Sequence, residues 1–164
     1  MRRTLAMQPP SGRLLIGPSV DEIRDVLFES RADFWKRGSL SVELLHIKRR
    51  GKSTEIRADI PSLSFAYKPK HGVFLMHCDS TANPRIAIPY AKTGFSPWVK
   101  HNDGQLEWYV PRACFVSKAF AWAAILEYLH TDGRIDLLPW VDKMEIEFRL
   151  PEIGDEIPRG EDRG

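Results

Sequence analysis

Between Leu40 and Val110 the chain is a series of short apolar segments broken by turn residues, and this limits it to a sheet of neighbouring strands. LSVELLHIKRRGKSTEIRADI reads as two strands around a basic turn. Leu40, Val42, Leu44 and His46 alternate on one side, Arg49-Arg50-Gly51-Lys52 turns the chain, and Ile56, Ala58 and Ile60 resume the alternation. SLSFAYKPKHG leads into GVFLMHCDS, a near-continuous apolar run of the kind found in central strands. Thr81-Ala82-Asn83-Pro84 is a turn, and RIAIPYA is the next strand. Pro89 has no N–H to donate, so that strand lies at an edge or ends there. WVKHNDGQLEWYV is a hairpin folded about Asp103-Gly104.

Two helices flank this block. Ser19 and Glu22 stand at capping-box spacing before Ile23, Val26 and Leu27, which predicts a helix over 20–30. Ser117 caps a second helix whose Ala121, Ala124, Ile125, Tyr128 and Leu129 form one apolar stripe, with Gly133 as its left-handed stop. Pro139-Trp140-Val141 and MEIEFRL give a last short strand, with Trp140 plugging the end of the core beside the helix. The order of elements predicts an α+β single domain: a mostly antiparallel sheet with helices packed on one face. Residues 14–150 form this domain. Residues 1–13 read as a flexible leader broken by Pro9-Pro10, and 151–164 as a flexible acidic, Pro/Gly-containing tail.

With 43% hydrophobic residues among 164, the chain can bury a core. No run approaches the roughly 18 apolar residues of a membrane span, and no apolar segment follows Arg2 and Arg3 as in a signal peptide. Two cysteines are too few for a disulfide framework, so a reduced, cytoplasmic protein is expected. The net charge of +2 is too small to imply a nucleic-acid partner. Its distribution is uneven: residues 1–82 hold 14 Lys and Arg against 9 Asp and Glu, and residues 83–164 hold 10 against 13. The acidic half is either a solvated surface or a face that meets a basic partner.

Catalytic groupings are weak. In His77-Cys78-Asp79, strand alternation sends His77 and Cys78 to opposite faces, and Cys78 falls with Phe74 and Met76 as a packed thiol. Cys114 precedes a helix, where a thiol can be activated, but its apolar flanks favour packing. His46, His71, His77, His101 and His130 lack metal-ligand spacing, and His130 suits a helix C-terminus. RGKST lacks the first glycine of a phosphate loop and sits in a hairpin. No metal or cofactor is expected. Trp98, Trp108 and Tyr109 stand in the hairpin arms, and are either all core or have one or two of their number on a binding surface.

The block from GVFLMHCDS to GQLEWYVPRACFVSKAFAWAAILEYLHTDGRIDLLPWV resembles the Imm family of bacterial polymorphic-toxin immunity proteins, specifically its first-described type. The matching positions are Phe74 to Asp79, Glu107 to Val110, Val116-Ser117, Ala123 to Tyr128, Thr131 to Arg134 and Trp140-Val141, over roughly residues 72–142. The resemblance implies a cytosolic, non-enzymatic α+β protein that binds a cognate toxin domain, such as a nucleic-acid deaminase or nuclease, and blocks its active site. Relatives of this type tend to be acidic, whereas this chain has a pI of 8.6 and only its C-terminal half is acidic. The expected contact surface comprises Asp79, Asn83, Asp103, Glu107, Trp108, Tyr109, Asp132 and Asp136. Two alternatives stand beside it: a nucleic-acid-binding module using Arg49, Arg50, Lys52, Lys68 and Lys70, and a small enzyme centred on Cys114 or His77.

Overall fold

A computed structural model of the chain describes residues 4–36, 42–56, 60–80, 82–91, 96–102 and 107–150. The fold is α+β, as the element order predicts. Strands β1 (Thr4–Gln8), β2 (Leu15–Ile16), β3 (Val42–Arg50), β4 (Ser53–Ile56), β5 (Ser62–Lys68), β6 (Gly72–Cys78) and β7 (Ile86–Pro89) come first. The hairpin strands β8 (Trp98–Asn102) and β9 (Glu107–Pro111) follow, then β10 (Phe115–Val116) and β11 (Trp140–Asp142). Helix α1 (Val20–Glu29) lies between β2 and β3, and helix α2 (Lys118–Thr131) between β10 and β11. The main sheet is antiparallel in the order β11-β7-β6-β5-β3-β1-β2, with β10 also paired to β6 and β4 to β3. Strands β8 and β9 form a separate two-stranded sheet.

The apolar run of β6 is central because both its faces are buried. Val73 and Leu75 join the cluster under the helices, with Phe65, Leu44, Ile125, Tyr128, Ile23 and Leu27. Phe74 faces the other way, where Val99, Val110, Cys114, Phe115 and Ile146 cover it. So the helices occupy one face and the β8–β9 hairpin the other. Both caps form as read: Ser19 and Glu22 make a reciprocal capping box, and Ser117 Oγ accepts from Phe120 N–H at 3.2 Å. Among the described residues no helix is long and apolar enough to cross a membrane.

Four local expectations are corrected. Residues 4–8, read as leader, are β1, because Met7 and Ala6 bury on opposite faces while the backbone pairs along β3. Ile56 does not resume a buried alternation: the β3–β4 hairpin runs past the sheet and β4 is exposed throughout. The left-handed residue ending α2 is Asp132 (φ 58°), not Gly133; aspartate tolerates this conformation, and its carboxylate reaches His46. Finally, the closing strand is Trp140–Asp142 alone. MEIEFRL instead forms a 3-10 turn at Lys143–Glu145, buries Ile146, and pairs Arg149 with Tyr109. Pro89 ends β7 as expected, with β11 outside it. Ala58, Asp103 and residues 151–164 lie outside the described residues.

Two substitutions test this packing. A Cβ on Gly72 (φ 107°) would stand 2.3 Å from Val116 O, at the β6–β10 pairing. Gly72→Ala should therefore lower the urea-unfolding free energy by about 2 kcal/mol or more. Tyr128 Oη lies 2.9 Å from Pro61 O and 3.2 Å from Leu44 O, so its one proton is shared between two carbonyls flanking the point where β3 exchanges β5 for β4. Tyr128→Phe should cost about 1–3 kcal/mol in the same measurement.

Candidate functional site

At the C-terminal ends of β6 and α2, three chain-distant polar groups meet. Leu44 and His46 point to the helix face of β3, and His46 Nε2 lies 2.9 Å from Asp132 Oδ1. Asp132 ends α2, so its own N–H still donates to Tyr128 O at 2.8 Å while its carbonyl faces outward. That carbonyl accepts from His77 Nε2–H at 3.1 Å. The other nitrogen, His77 Nδ1, stands 3.2 Å from Asp79 Oδ1 without the alignment of a hydrogen bond, although His77 is only 3% exposed. Trp140 stacks edge-on to His77 at 6.2 Å, and its Nε1–H donates to Ile135 O at 2.9 Å.

His77, Asp132 and Trp140 line a groove of about 680 Å³, together with Asp79, Asp136 and Arg134, while His46 touches it only through Asp132. A smaller hollow of about 170 Å³ shares Asp79 and Arg134 and adds Arg85 and Asp142. Asp79, Asp132 and Asp136, singled out in the sequence as binding acids, are thus brought together. Their roles differ: Asp79 and Asp136 are exposed, whereas the Asp132 carboxylate is committed to His46. Asn83 is exposed on the neighbouring turn and does not line the groove.

The rest of the expected surface lies elsewhere. Glu107 pairs with Lys100 at 2.9 Å and lines a different cavity, near Lys68 and Lys70 at the start of β6. The two ends of that strand are about 20 Å apart. Trp108 is half-buried against Phe148 (6.3 Å, edge-on), with Lys143 Nζ 5.2 Å from its ring centre. Tyr109 is half-buried, its backbone paired to Arg149 at 2.7 and 3.1 Å.

The basic set divides in the same way. Arg49, Arg50 and Lys52 cluster at the exposed β3–β4 tip, on the His77 end of the sheet, while Lys68 and Lys70 stand at the other end. Among the described residues no three of His, Cys, Asp and Glu converge as metal ligands would. His130 Nδ1 lies 3.3 Å from Leu126 O at the exposed end of α2.

Sequence reading missed Arg134 as a groove residue and His46 as the partner of Asp132, and gave Trp140 a core role only. His46 had a signal, its place in the helix-facing alternation of β3. Nothing local marks residues 46, 77, 132 and 140 as neighbours.

The two thiols differ sharply. Cys114 is fully buried, which pushes its pKa up to about 12. The folded thiol therefore keeps its proton longer than the unfolded one, whose pKa is about 8.5. Its contribution to stability is complete below that pH and is lost as pH rises toward 12. Cys78 is half-buried, with Sγ 3.2 Å from Ser80 O. Iodoacetamide at about pH 8 should modify Cys78 in the native protein and reach Cys114 only after unfolding in urea, as read by peptide mass spectrometry. Native modification of Cys114 would show that this packing is wrong.

Comparisons with protein-family models, with curated proteins and with solved structures find no match to this chain.

Proposed function

We propose that this chain is a cytoplasmic immunity protein that binds a toxin domain one to one and occludes its active site. The resemblance over residues 72–142 motivates the reading, and one observation carries it. Exposed Asp79 and Asp136 rim a groove that has the half-buried Trp140 ring in its wall. Aromatic walls with a charged rim are the anatomy of an energetic centre in protein recognition. A toxin that acts on nucleic acid carries a basic cleft, and such a cleft complements these carboxylates. On this reading Trp140 is the anchor, since Trp108 is covered by Lys143 and Phe148 of its own chain.

The probe is any toxin domain found in the reading frame next to this chain's own, titrated by calorimetry. Reversing Asp79→Lys and Asp136→Lys together should weaken binding about 30-fold or more. Glu107→Lys, at the other end of the sheet, should leave affinity within about twofold. Unchanged affinity in the double variant removes the groove from the contact. Failure of the wild-type chain to bind or neutralise the toxin removes the reading itself.

A further inference from the structure

The end of the sheet that carries the Asp79–Asp136 groove also carries a basic arm. Leu44 of β3 stands level with His77 of β6, through Leu63 of β5 between them. From that level β3 continues six residues to Arg50, about 20 Å at the rise of a strand, and the chain returns as β4. Strand β4 pairs with β3 and with no other described strand, and all four of its residues are exposed. A two-stranded ribbon outside the core gains little from its own burial. Like charges crowd this one: Lys48, Arg49, Arg50 and Lys52 stand with Glu55 as the only acid of the hairpin. Among the described residues none of these four cations forms an ion pair. Register places Arg49, Thr54 and Ile56 on one face of the arm, and Ile56 is 55% exposed.

The groove at the same end has the opposite character. Asp79 and Asp136 are exposed on its rim, and Arg134 is the one lysine or arginine in its lining among the described residues. Asp136 forms no ion pair among the described residues, and Asp79 has only His77 beside it. The Trp140 ring stands in the wall, and the neighbouring Leu137 is 72% exposed. Arm and groove therefore match twice, cations to carboxylates and Ile56 to the apolar Leu137–Trp140 edge. No arm residue lines the groove of its own chain.

We propose that the occupant is a second copy of this chain: the Lys48–Lys52 arm of each copy enters the Asp79–Asp136 groove of the other across a two-fold axis. An end that carries both members of a complementary pair is self-complementary, and a two-fold axis satisfies both pairings at once and closes the assembly at two. The same juxtaposition disfavours nucleic acid, because a phosphate backbone drawn to the arm meets the carboxylates of the groove. This goes beyond toxin binding. The partner's arm fills the groove assigned above to a toxin, so the two compete for it. The measurements below use this chain alone, so either reading stands if the other fails.

Sedimentation velocity of the purified full chain at about 10 and 100 μM reads the oligomeric state. A dimer is expected at about 0.05 M salt, with a dissociation constant at least about tenfold higher at 0.5 M. Arg49→Glu with Arg50→Glu should give a monomer, as should Asp79→Lys with Asp136→Lys, each with the wild-type circular-dichroism spectrum because all four side chains are exposed. Mixed one to one, the two double variants should dimerise again, since each reversed arm then meets a reversed groove. Loss of structure in either variant cannot produce that recovery. The milder Arg50→Gln should weaken the dimer at least about threefold. A wild-type monomer at about 100 μM in the lower salt overturns the proposal. So does a dimer that either double variant leaves intact, or two natively folded variants that fail to recover on mixing. A monomer whose arm binds duplex DNA assigns the arm to nucleic acid and overturns it as well.

Discussion

The docking of α2 onto the sheet depends on one buried hydroxyl and one left-handed aspartate. Strand β3 pairs with β5 only as far as Leu44 and with β4 only from Ile47, which leaves carbonyls beside the break. Unpaired buried carbonyls are unfavourable. Tyr128, fully buried on α2, closes the gap by bonding Leu44 O and Pro61 O. Burial raises the Tyr128 pKa, and the nearby charges of Asp132 and Glu43 raise it further, so the hydroxyl stays a donor. One turn later Asp132 ends the helix and ties it to β3 through His46 and to β6 through His77. Apolar packing supplies the attraction between helix and sheet, and these polar bonds fix the position of α2 along it.

That fixed position determines the groove. Its wall is the end of α2, the loop carrying Arg134 and Asp136, and Trp140; the end of α2 and Trp140 are held against β6 by contacts to His77. At the other end of β6, the tight turn through Lys70 and the tie between Lys68 and Lys100 hold the lysine cavity together. The sheet therefore separates an acid-rimmed groove from a basic cavity. The +5 and −3 balances of the two sequence halves do not map onto these ends, because antiparallel strands return each half to both.

Much of the fold was legible along the chain. The capping pairs at Ser19 and Ser117, the stripe on α2, the run of β6 and the aromatic hairpin are local patterns, and each became the element it predicts. The misreadings have local causes too. Pro9-Pro10 suggested a loose leader, yet the alternating Leu5, Ala6 and Met7 found partners on β3. Gly133 looked like the left-handed stop, yet Asp132 took that conformation with His46 holding its carboxylate.

The sequence by itself determined the class of fold, the caps, the turns and which residues could be apolar core, because these follow from side-chain period and backbone preference over a few neighbouring positions. Only the tertiary structure decided which charges meet. Asp79 joins Asp132 and Asp136 while Glu107 goes to the lysines, and Arg49–Lys52 part from Lys68 and Lys70. The reason is register: strand pairing sets which distant residues lie side by side, and no local pattern encodes it.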